Sequence, residues 1–227
     1  MAKIVGSGFD DILVGVKKEA NTIYGDTDGT AEPVTPVGND NLTGGVNSPD
    51  NTIYGDAQTL MGHGSTGGND TLIGGNSSTN TLYGDAQSFR GDPTGGNDTL
   101  IGGIGGINFL IGDAADRDFG GGHGGNDRLV SAANTTDHMW GDLQDTTGGP
   151  FDFGSDTFAF ARHNGDDFIY DFHQSEDHIE LDIGKNNDFS DLNIEVVGSD
   201  SVIHMSNHDS VTVANVTTLT ADDFMFV

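Results

Sequence analysis

Apolar residues recur along this chain at fixed offsets from an aspartate, in two patterns that keep step with each other. The first pattern, Gly-x-Asp-x-apolar, occurs six times, and its aspartates are separated by 30, 30, 28, 29 and 29 residues. The second pattern, Asn/Asp-x-apolar-x-x-Asp, also occurs six times and begins with Asn21-Thr-Ile-Tyr-Gly-Asp26. A repeat of this length, carrying short apolar groups bounded by turn residues, predicts two short strands in every unit.

Alternation along each strand predicts which side chain points inward. The two inward rows are Ile12, Leu42, Leu72, Leu100, Leu129 and Phe158 from the first strands, and Ile23, Ile53, Leu82, Leu110, Met139 and Phe168 from the second strands. One inward side chain per strand cannot form a core, but stacked units join these side chains into continuous rows. The chain is therefore predicted to be all-β, a parallel β-roll of about six coils over residues 1–171, with a β-rich cap over residues 172–227 that covers the open end.

The two turns of each coil differ in length and in chemistry. The long turn carries about ten extra residues, such as 86–94, and is flanked by one aspartate that leaves the second strand and one that enters the next first strand. At the strand spacing of about 4.8 Å, neighbouring carboxylates repel by roughly 0.9 kcal/mol even in bulk water, so these rows should open without divalent cations. The candidate metal ligands are Asp10, Asp26, Asp40, Asp56, Asp70, Asp85, Asp98, Asp113, Asp127, Asp142, Asp156 and Asp171.

The composition agrees with cation-binding turns. Of 36 acidic residues 31 are Asp, and Gly supplies another 36 residues, whereas Lys and Arg together number 8, so the formal charge is −28. Asp and Gly favour turns and cation-binding loops rather than long helices. The scarcity of basic residues argues against a nucleic-acid partner, and no apolar run is long enough to span a membrane. With no Cys, the chain has no disulfides.

Two segments carry a resemblance to a known family. Gly67-Gly-Asn-Asp-Thr-Leu-Ile-Gly-Gly75 and Gly95-Gly-Asn-Asp-Thr-Leu-Ile-Gly-Gly103 resemble the RTX (haemolysin-type) calcium-binding nonapeptide. The resemblance implies a β-roll that holds Ca²⁺ between successive turns through Asp carboxylates and backbone carbonyls that Gly turns toward the ion. Besides the twelve aspartates, the positions that it assigns to calcium are Gly38, Gly68, Gly96, Gly125, Asn39, Asn69, Asn97 and Asn126.

The short turns depart from the RTX motif, because Gly-Asn-Ser-Ser-Thr-Asn replaces the expected glycine and aspartate ligands. The resemblance therefore does not assign calcium to that edge. The series Asn21, Asn51, Asn80 and Asn108 is predicted instead to form a ladder in which each amide hydrogen-bonds the next.

The C-terminal segment is similar to the segments that close RTX rolls, in 166–172 and 177–181, and to RTX C-termini, in 219–227. Such termini act in the family as uncleaved signals for type I secretion. The resemblance implies a secreted, extracellular protein that engages the type I secretion apparatus. This expectation fits an N-terminus, Met1-Ala-Lys-Ile-Val-Gly6, that lacks the apolar core of a cleaved signal peptide.

These observations favour a secreted protein whose folding is driven by calcium and which binds an extracellular glycan or protein ligand or serves a structural role. One alternative is an enzyme that acts on a polysaccharide or small molecule through the long insertions or the cap, although no G-x-S-x-G or H-E-x-x-H motif is present. Another is the export and folding module of a larger product. A stripe next to the second inward row is predicted to be covered by the insertions rather than free to stack on sugars: Tyr24, Tyr54, Tyr83, Ile111, Trp140 and Ile169.

Overall fold

Two long sheets run side by side along the axis of the molecule, and the strands within each sheet are parallel over most of its length. The computed structural model describes residues 1–118, 120–145, 147, 150–184, 188–205 and 209–227, which form a parallel β-solenoid of about five turns. The predicted all-β roll is therefore confirmed. Among the described residues the helical elements are two 3₁₀ turns, Phe189–Asp191 and Ala221–Asp223, and no helix is long and apolar enough to cross a membrane.

The strands are numbered in chain order. The ten-stranded sheet contains, in spatial order, β1 (Ala2–Val5), β3 (Asn21–Tyr24), β6 (Asp50–Tyr54), β9 (Thr79–Tyr83), β12 (Ile107–Ile111), β15 (Thr136–Trp140), β17 (Asp166–Ile169), β21 (Ser210–Val213), β20 (Asp200–His204) and β19 (Asn193–Val197). The eight-stranded sheet contains β2 (Ile12–Val14), β5 (Asn41–Thr43), β8 (Thr71–Ile73), β11 (Thr99–Ile101), β14 (Arg128–Val130), β16 (Thr157–Ala161), β18 (His178–Asp182) and β22 (Phe224–Phe226).

The coils stack with equivalent residues in register. Ile23 lies beside Ile53 in one sheet, and Leu42 lies beside Leu72 in the other. Ten of the twelve predicted inward side chains are completely buried in one continuous core between the two sheets. A side chain that a single coil could not shelter is thus enclosed by its equivalents in the coils above and below.

The first and last coils are shifted by one residue from the prediction. Leu13, not Ile12, lies beside Leu42 and packs against the core, and Ile12 is 83% exposed. Ile169, not Phe168, lies beside Met139 and is buried. Both coils contain an Asp-Asp pair, at positions 10–11 and 166–167, and the structure uses the second acid of each pair for the register.

The long insertions form a third sheet, which the sequence analysis treated as loops. Its strands are β4 (Thr27–Ala31), β7 (Ala57–Met61), β10 (Ala86–Arg90) and β13 (Ala114–Arg117). Phe89, Leu60 and Leu143 are the largest members of a small second core under this sheet. Tyr24 and Tyr54 are buried. Burial raises the pKa of the Tyr24 and Tyr83 phenols, and the nearby third-sheet residues Asp28 and Asp116 raise it to a lesser extent.

Both long sheets continue without a break into the C-terminal segment. β21 adds in parallel to β17, and β20 and β19 then add in antiparallel order. In the other sheet β22 adds in parallel to β18, and Phe224 packs into the main core. β19 and β22 thus end the two sheets, each pairing on one side, and apolar side chains of this segment extend the main core.

Candidate metal centre

The two rows of aspartates meet on the edge of the roll formed by the long turns. The first row precedes the strands of the eight-stranded sheet, and the second row follows the strands of the ten-stranded sheet. A glycine N–H beside the first row donates a hydrogen bond to a carboxylate of the second row. For example, the Gly68 N–H donates to Asp56 Oδ1 at 3.0 Å, and the Gly96 N–H donates to Asp85 Oδ1 at 2.8 Å. Equivalent bonds run from Gly38 to Asp26, from Gly125 to Asp113 and from Gly154 to Asp142. We call this edge the aspartate edge.

Each carboxylate of the first row uses one oxygen to hold the preceding coil. The Asp70 N–H donates to Asp98 Oδ1 at 2.7 Å, and the Asp98 N–H donates to Asp127 Oδ1 at 2.7 Å. The same bond joins Asp11 to Asp40, Asp40 to Asp70 and Asp127 to Asp156. One oxygen of every such carboxylate is thus committed to the backbone.

The second oxygen of these carboxylates has no hydrogen-bond partner. Buried Oδ2 atoms without a partner belong to Asp40, Asp70, Asp98, Asp127 and Asp156 of the first row and to Asp85, Asp113 and Asp142 of the second row. Buried acceptors are normally satisfied, and a buried carboxylate oxygen without a donor is costly. Eight such atoms lie along this one edge.

A glycine beside each of these sites leaves space that any other residue would fill. A Cβ on Gly55 would collide with Asp70 Oδ2 and with the carbonyl oxygen of Gly84, and a Cβ on Gly84 would collide with Asp98 Oδ2 and the carbonyl oxygen of Gly112. The full set of equivalent glycines is Gly25, Gly55, Gly84, Gly112 and Gly141. Carboxylate and carbonyl oxygens therefore lie together beside Gly25, Gly55, Gly84 and Gly112, whereas the nearest atoms beside Gly141 all belong to Asp156. Carboxylate and carbonyl oxygens are the mixture that calcium prefers.

Burial and mutual repulsion hold the protons on these carboxyl groups. Burial first, and neighbouring aspartates second, raise the pKa of Asp70 to about 9, and burial raises the pKa of Asp85 and Asp142 to about 7. The same causes raise the pKa of Asp98 and Asp127 well above the usual range. Among the described residues no Lys, Arg or His side chain forms an ion pair with any of the twelve predicted aspartates. The compensating positive charge must therefore come from outside the chain if these groups are to ionise.

Side chains alone do not enclose an ion. In the described ranges no three Asp, Glu or His side chains converge as a metal-binding group. A cation here would need backbone carbonyls as well, and this requirement fits a hard ion that accepts six to eight oxygens better than one that prefers nitrogen or sulfur. The residues present thus fit Ca²⁺, for which glycine carbonyls would supply part of the ligand set.

Three acids at the ends of the two rows, Asp11, Asp171 and Asp177, depart from the positions or contacts that the repeat predicts. Asp11 rather than Asp10 continues the first row, and its Oδ2 accepts bonds from the Ser7 N–H and hydroxyl. Asp171 accepts bonds from the N–H groups of Gly141 and Asp142, and burial raises its pKa to about 8. Asp177, which lies outside the 29-residue period, accepts the N–H of Asp156 and so follows it in the first row.

The four asparagines assigned to calcium by the resemblance have backbone partners instead. Asn69 Oδ1 accepts the Asn97 N–H at 2.6 Å, Asn97 Oδ1 accepts the Asn126 N–H at 2.6 Å, and Asn39 and Asn126 make the equivalent bonds to residues 69 and 155. These residues are exposed, whereas the partnerless carboxylate oxygens are buried. These side chains thus hydrogen-bond successive coils to one another at the surface.

The five glycines that precede the second-row aspartates were not among the predicted ligands. Their signal in the sequence is simple, because every copy from residue 25 to residue 141 reads Gly-Asp at this point. The predicted glycines Gly68, Gly96 and Gly125 are also tightly placed, since a Cβ on each would collide with the carbonyl oxygen of the equivalent glycine in the preceding coil.

The opposite edge of the roll is complete in itself, which confirms the predicted amide ladder. Nδ2 of Asn21 donates to Oδ1 of Asn51 at 2.8 Å, Asn51 donates to Asn80 at 2.8 Å, and Asn80 donates to Asn108 at 2.7 Å. Each amide also bonds its own short turn: Asn80 accepts the Gly75 N–H and donates to the Gly75 carbonyl. None of these four amides has a buried atom without a partner. We call this edge the asparagine edge.

No protein-family model matches the chain, and no curated protein matches it. Among solved structures, the extracellular lipase LipA from Serratia marcescens is similar over 99% of this chain, with 15% sequence identity and a TM-score of 0.35. The chain corresponds to 40% of the length of that lipase. A likeness this distant adds nothing to the fold described above.

Proposed function

We propose that this chain is a secreted, RTX-type calcium-binding protein whose β-roll is completed by Ca²⁺ ions along the aspartate edge. The observation that carries the proposal is the row of eight buried carboxylate oxygens without a partner. A divalent cation would neutralise two carboxylates at once and would accept the oxygens that the backbone leaves free.

The residues that would hold the ions repeat from coil to coil. At Asp40, Asp70, Asp98 and Asp127 a partnerless Oδ2 of the first row lies near a glycine carbonyl oxygen, and Asp156 offers its partnerless Oδ2. Asp85, Asp113 and Asp142 of the second row contribute their own free oxygens. The bound ions would supply charge compensation and cross-links between coils, and the asparagine edge would take no ion.

Calcium binding would be coupled to folding, because the ligands come from different coils and are brought together only in the stacked roll. Extracellular calcium modules bind at about 10⁻⁴ to 10⁻³ M. At that affinity the roll would stay open at cytosolic calcium and close outside the cell. Export would proceed through a type I secretion apparatus that reads the C-terminal residues, and the folded roll would act as a binding or structural module for an extracellular glycan or protein.

The decisive experiment is a calcium titration of chelator-treated protein followed by far-UV circular dichroism. We expect a cooperative gain of β-structure with Ca²⁺ and a much weaker response to Mg²⁺, which requires tighter octahedral geometry. Asp127→Asn should raise the calcium midpoint. The matched control is Asp152→Asn, which removes an exposed acid that pairs with His123 in a neighbouring loop, and it should leave the midpoint unchanged. An identical spectrum with and without chelator would contradict the proposal.

The secretion half of the proposal is tested by deleting residues 222–227. We expect loss of export from a host that carries a type I system. Because Phe224 packs into the main core, the purified truncation should also show a higher calcium midpoint than the full chain. The substitution Phe224→Ala, which keeps the length of the tail, separates the two effects: it should weaken folding but still allow export. Normal export of the truncated chain would refute this half alone.

A further inference from the structure

The outer face of the ten-stranded sheet changes its chemistry along the roll. One position of this face is threonine in three successive coils and an aromatic ring in the next three, in the order Thr22, Thr52, Thr81, Phe109, His138 and Phe168. Trp140 and Tyr170 lie beside this column of rings, two residues further along their own coils. We call Phe109, His138, Trp140, Phe168 and Tyr170 the aromatic patch.

The third sheet ends before it reaches most of this patch. Its last strand is β13, and Ile111 in the coil of that strand is completely buried. Trp140, at the same position of the next coil, is only half-buried, like the other rings of the patch. Ile107, which shares an outward face with Phe109, is 46% exposed. Clustered aromatic and apolar surface of this kind marks a binding site more often than single exposed residues do.

The rings hold one another in nearly parallel planes. The centroid of the His138 ring lies 5.0 Å from that of Phe109 and 5.3 Å from that of Phe168, and the planes of both pairs differ by 11°. The Trp140 and Tyr170 rings are 4.4 Å apart at 13°. His138 Nδ1 also lies 2.8 Å from the Tyr170 hydroxyl, which joins the two columns of rings. A ligand therefore meets side chains that are already ordered, and this lowers the entropic cost of binding.

The two columns of rings end at a step. In β21, Thr212 lies beside Phe168, and Ala214 follows at the position beside Tyr170. These side chains are much smaller than a ring, so the last faces of Phe168 and Tyr170 leave room for one flat ring of a ligand. The C–H groups of a sugar ring pack well on the electron-rich face of an aromatic ring.

Uncharged polar groups accompany the rings. The Trp140 indole N–H donates to no described residue and is not one of the buried polar atoms without a partner, so it faces solvent. By alternation along their strands, Thr136, Ser210 and Thr212 place hydroxyl groups on the same face. Aromatic rings with a few hydrogen-bonding groups around them suit a ligand that has both C–H faces and hydroxyl groups.

Size and charge narrow the choice of ligand. Three strands at a spacing of about 4.8 Å, with two columns of rings, present an area on the order of 200 Å². A stable protein–protein interface buries about 800 Å² on each partner, so the patch is too small for one. The formal charge of −28 would repel a polyanion. A neutral glycan satisfies both limits, because a few sugar rings fill this area.

We propose that the aromatic patch binds a neutral polysaccharide, with one sugar ring stacked on Phe168 and Tyr170 at the step. The next sugars lie across Trp140, whose N–H donates to a hydroxyl oxygen, and the polysaccharide follows the axis of the roll toward Phe109. This inference rests on the proposed function, since it names the ligand of the proposed binding module.

The test uses the fluorescence of Trp140, the single tryptophan of the chain, in millimolar calcium. The full chain is titrated with soluble β-glucan, xylan, mannan and galactan, and with hyaluronate as an acidic polysaccharide. We expect a saturable shift of the Trp140 emission with at least one neutral polysaccharide and none with hyaluronate. No response to any of the neutral polysaccharides, or an equal response to hyaluronate, would overturn the proposal.

Variants are compared by calorimetry with the polysaccharide that binds, after circular dichroism has shown each to be folded in calcium. Phe168→Ala should weaken binding at least tenfold. Trp140→Phe, which keeps a ring in the column but removes the N–H, should weaken it severalfold. The matched control is Phe153→Ala, which also removes a half-buried ring that stacks on a histidine, His173 at 4.3 Å, and should bind like the wild type.

Undiminished binding by Phe168→Ala, or the same loss in Phe153→Ala, would also overturn the proposal. Calcium-dependent folding and export are measured separately from glycan binding. A chain that folds with calcium and is exported, but binds none of the neutral polysaccharides, would therefore contradict this inference and leave the calcium and secretion proposals standing.

Discussion

The two edges of the roll solve the same problem with side chains that differ by one group. Both edges stack an identical polar residue once per coil at the spacing of the strands. On the asparagine edge each amide is a donor and an acceptor, so a residue can bond the next copy of itself. On the aspartate edge each ionised carboxylate is an acceptor only, and identical carboxylates cannot satisfy one another. The first edge closes by itself, and the second needs a partner.

The end of the asparagine ladder supports this reading within one edge. Asp137 takes the place of an asparagine there and accepts Nδ2 of Asn108 at 2.5 Å. Its other oxygen is satisfied by the Ala132 N–H and the Thr135 hydroxyl. A buried acid is thus accommodated without a metal where the local chain supplies donors, and the aspartate edge lacks such donors.

The largest difference between the edges should appear in the pH dependence of the calcium-free protein. Burial raises the pKa of Asp40 to about 6, of Asp85 to about 7 and of Asp70 to about 9, against about 4 in the unfolded chain. As the pH rises through this window the unfolded chain releases protons first, so the folded state loses stability. Chelated protein should therefore be folded near pH 4 to 5 and unfold progressively toward pH 9, as followed by circular dichroism.

Saturating calcium should remove or invert that dependence, because the ion binds the deprotonated carboxylates. The four asparagines of the ladder do not titrate, whereas Asp137 at its end, whose pKa burial raises, should contribute in the same direction. Chelated protein that gains stability between pH 5 and pH 9 would contradict the assignment of the buried acids.

A charge placed on the self-sufficient edge should be the most damaging single substitution. Asn80→Asp would set carboxylate oxygens against Asn108 Oδ1 and the Gly75 carbonyl, at a site that is completely buried. We expect a loss of about 3 to 5 kcal/mol in the free energy of unfolding, because the charge has no partner. Urea unfolding in saturating calcium measures it, and a fully rescuing effect of added calcium would show that this edge also binds ions.

Truncation of a side chain in the core between the two edges gives a reference value for the loss in the free energy of unfolding. Leu100→Ala removes a completely buried side chain and should cost about 2 to 5 kcal/mol. The neighbouring Ile101→Ala, on the half-buried outer face of the same strand, is the control and should cost clearly less. Equal losses for the two variants in urea unfolding would show that the inward row has been misassigned.

The smallest expected effect is also the sharpest, because its sign should change with calcium. Asp98→Asn removes one buried negative charge, so it should stabilise the chelated protein and raise the calcium midpoint about tenfold, or roughly 1.4 kcal/mol. Asp92→Asn, which alters an acid that pairs with His63 in a nearby loop, should do neither. The same sign in both conditions would mean that Asp98 serves packing rather than ion binding.

The repeat predicted the stacking of the coils, the inward rows and the asparagine ladder, because each depends on residues that recur at one period. The register of the first coil could not be predicted in this way. Ile12, Leu13 and Val14 are all apolar and follow two aspartates, so neither alternation nor the acid selects one register.

The third sheet was missed because the insertions share little sequence. Their common signal is an alanine after the second-row aspartate, at positions 57, 86 and 114, and an apolar residue three positions later at Leu60 and Phe89. Which carboxylate oxygen lacks a partner depends on which of its two oxygens accepts the backbone N–H. The amino-acid sequence does not specify this.

Both ladders also have a direction, which decides how such a chain can change its length. The donor always lies in the earlier coil and the acceptor in the later one, as from Asn51 to Asn80 and from Asp70 to Asp98. Loss of a coil at the start leaves oxygens with one bond fewer, and those of the asparagine ladder retain other partners, such as the Gly45 N–H on Asn51. Loss of a coil at the far end leaves N–H groups without acceptors, which proteins tolerate much less well. Gene duplication or deletion of whole repeats should therefore be accepted at the beginning of the roll and rejected at its end.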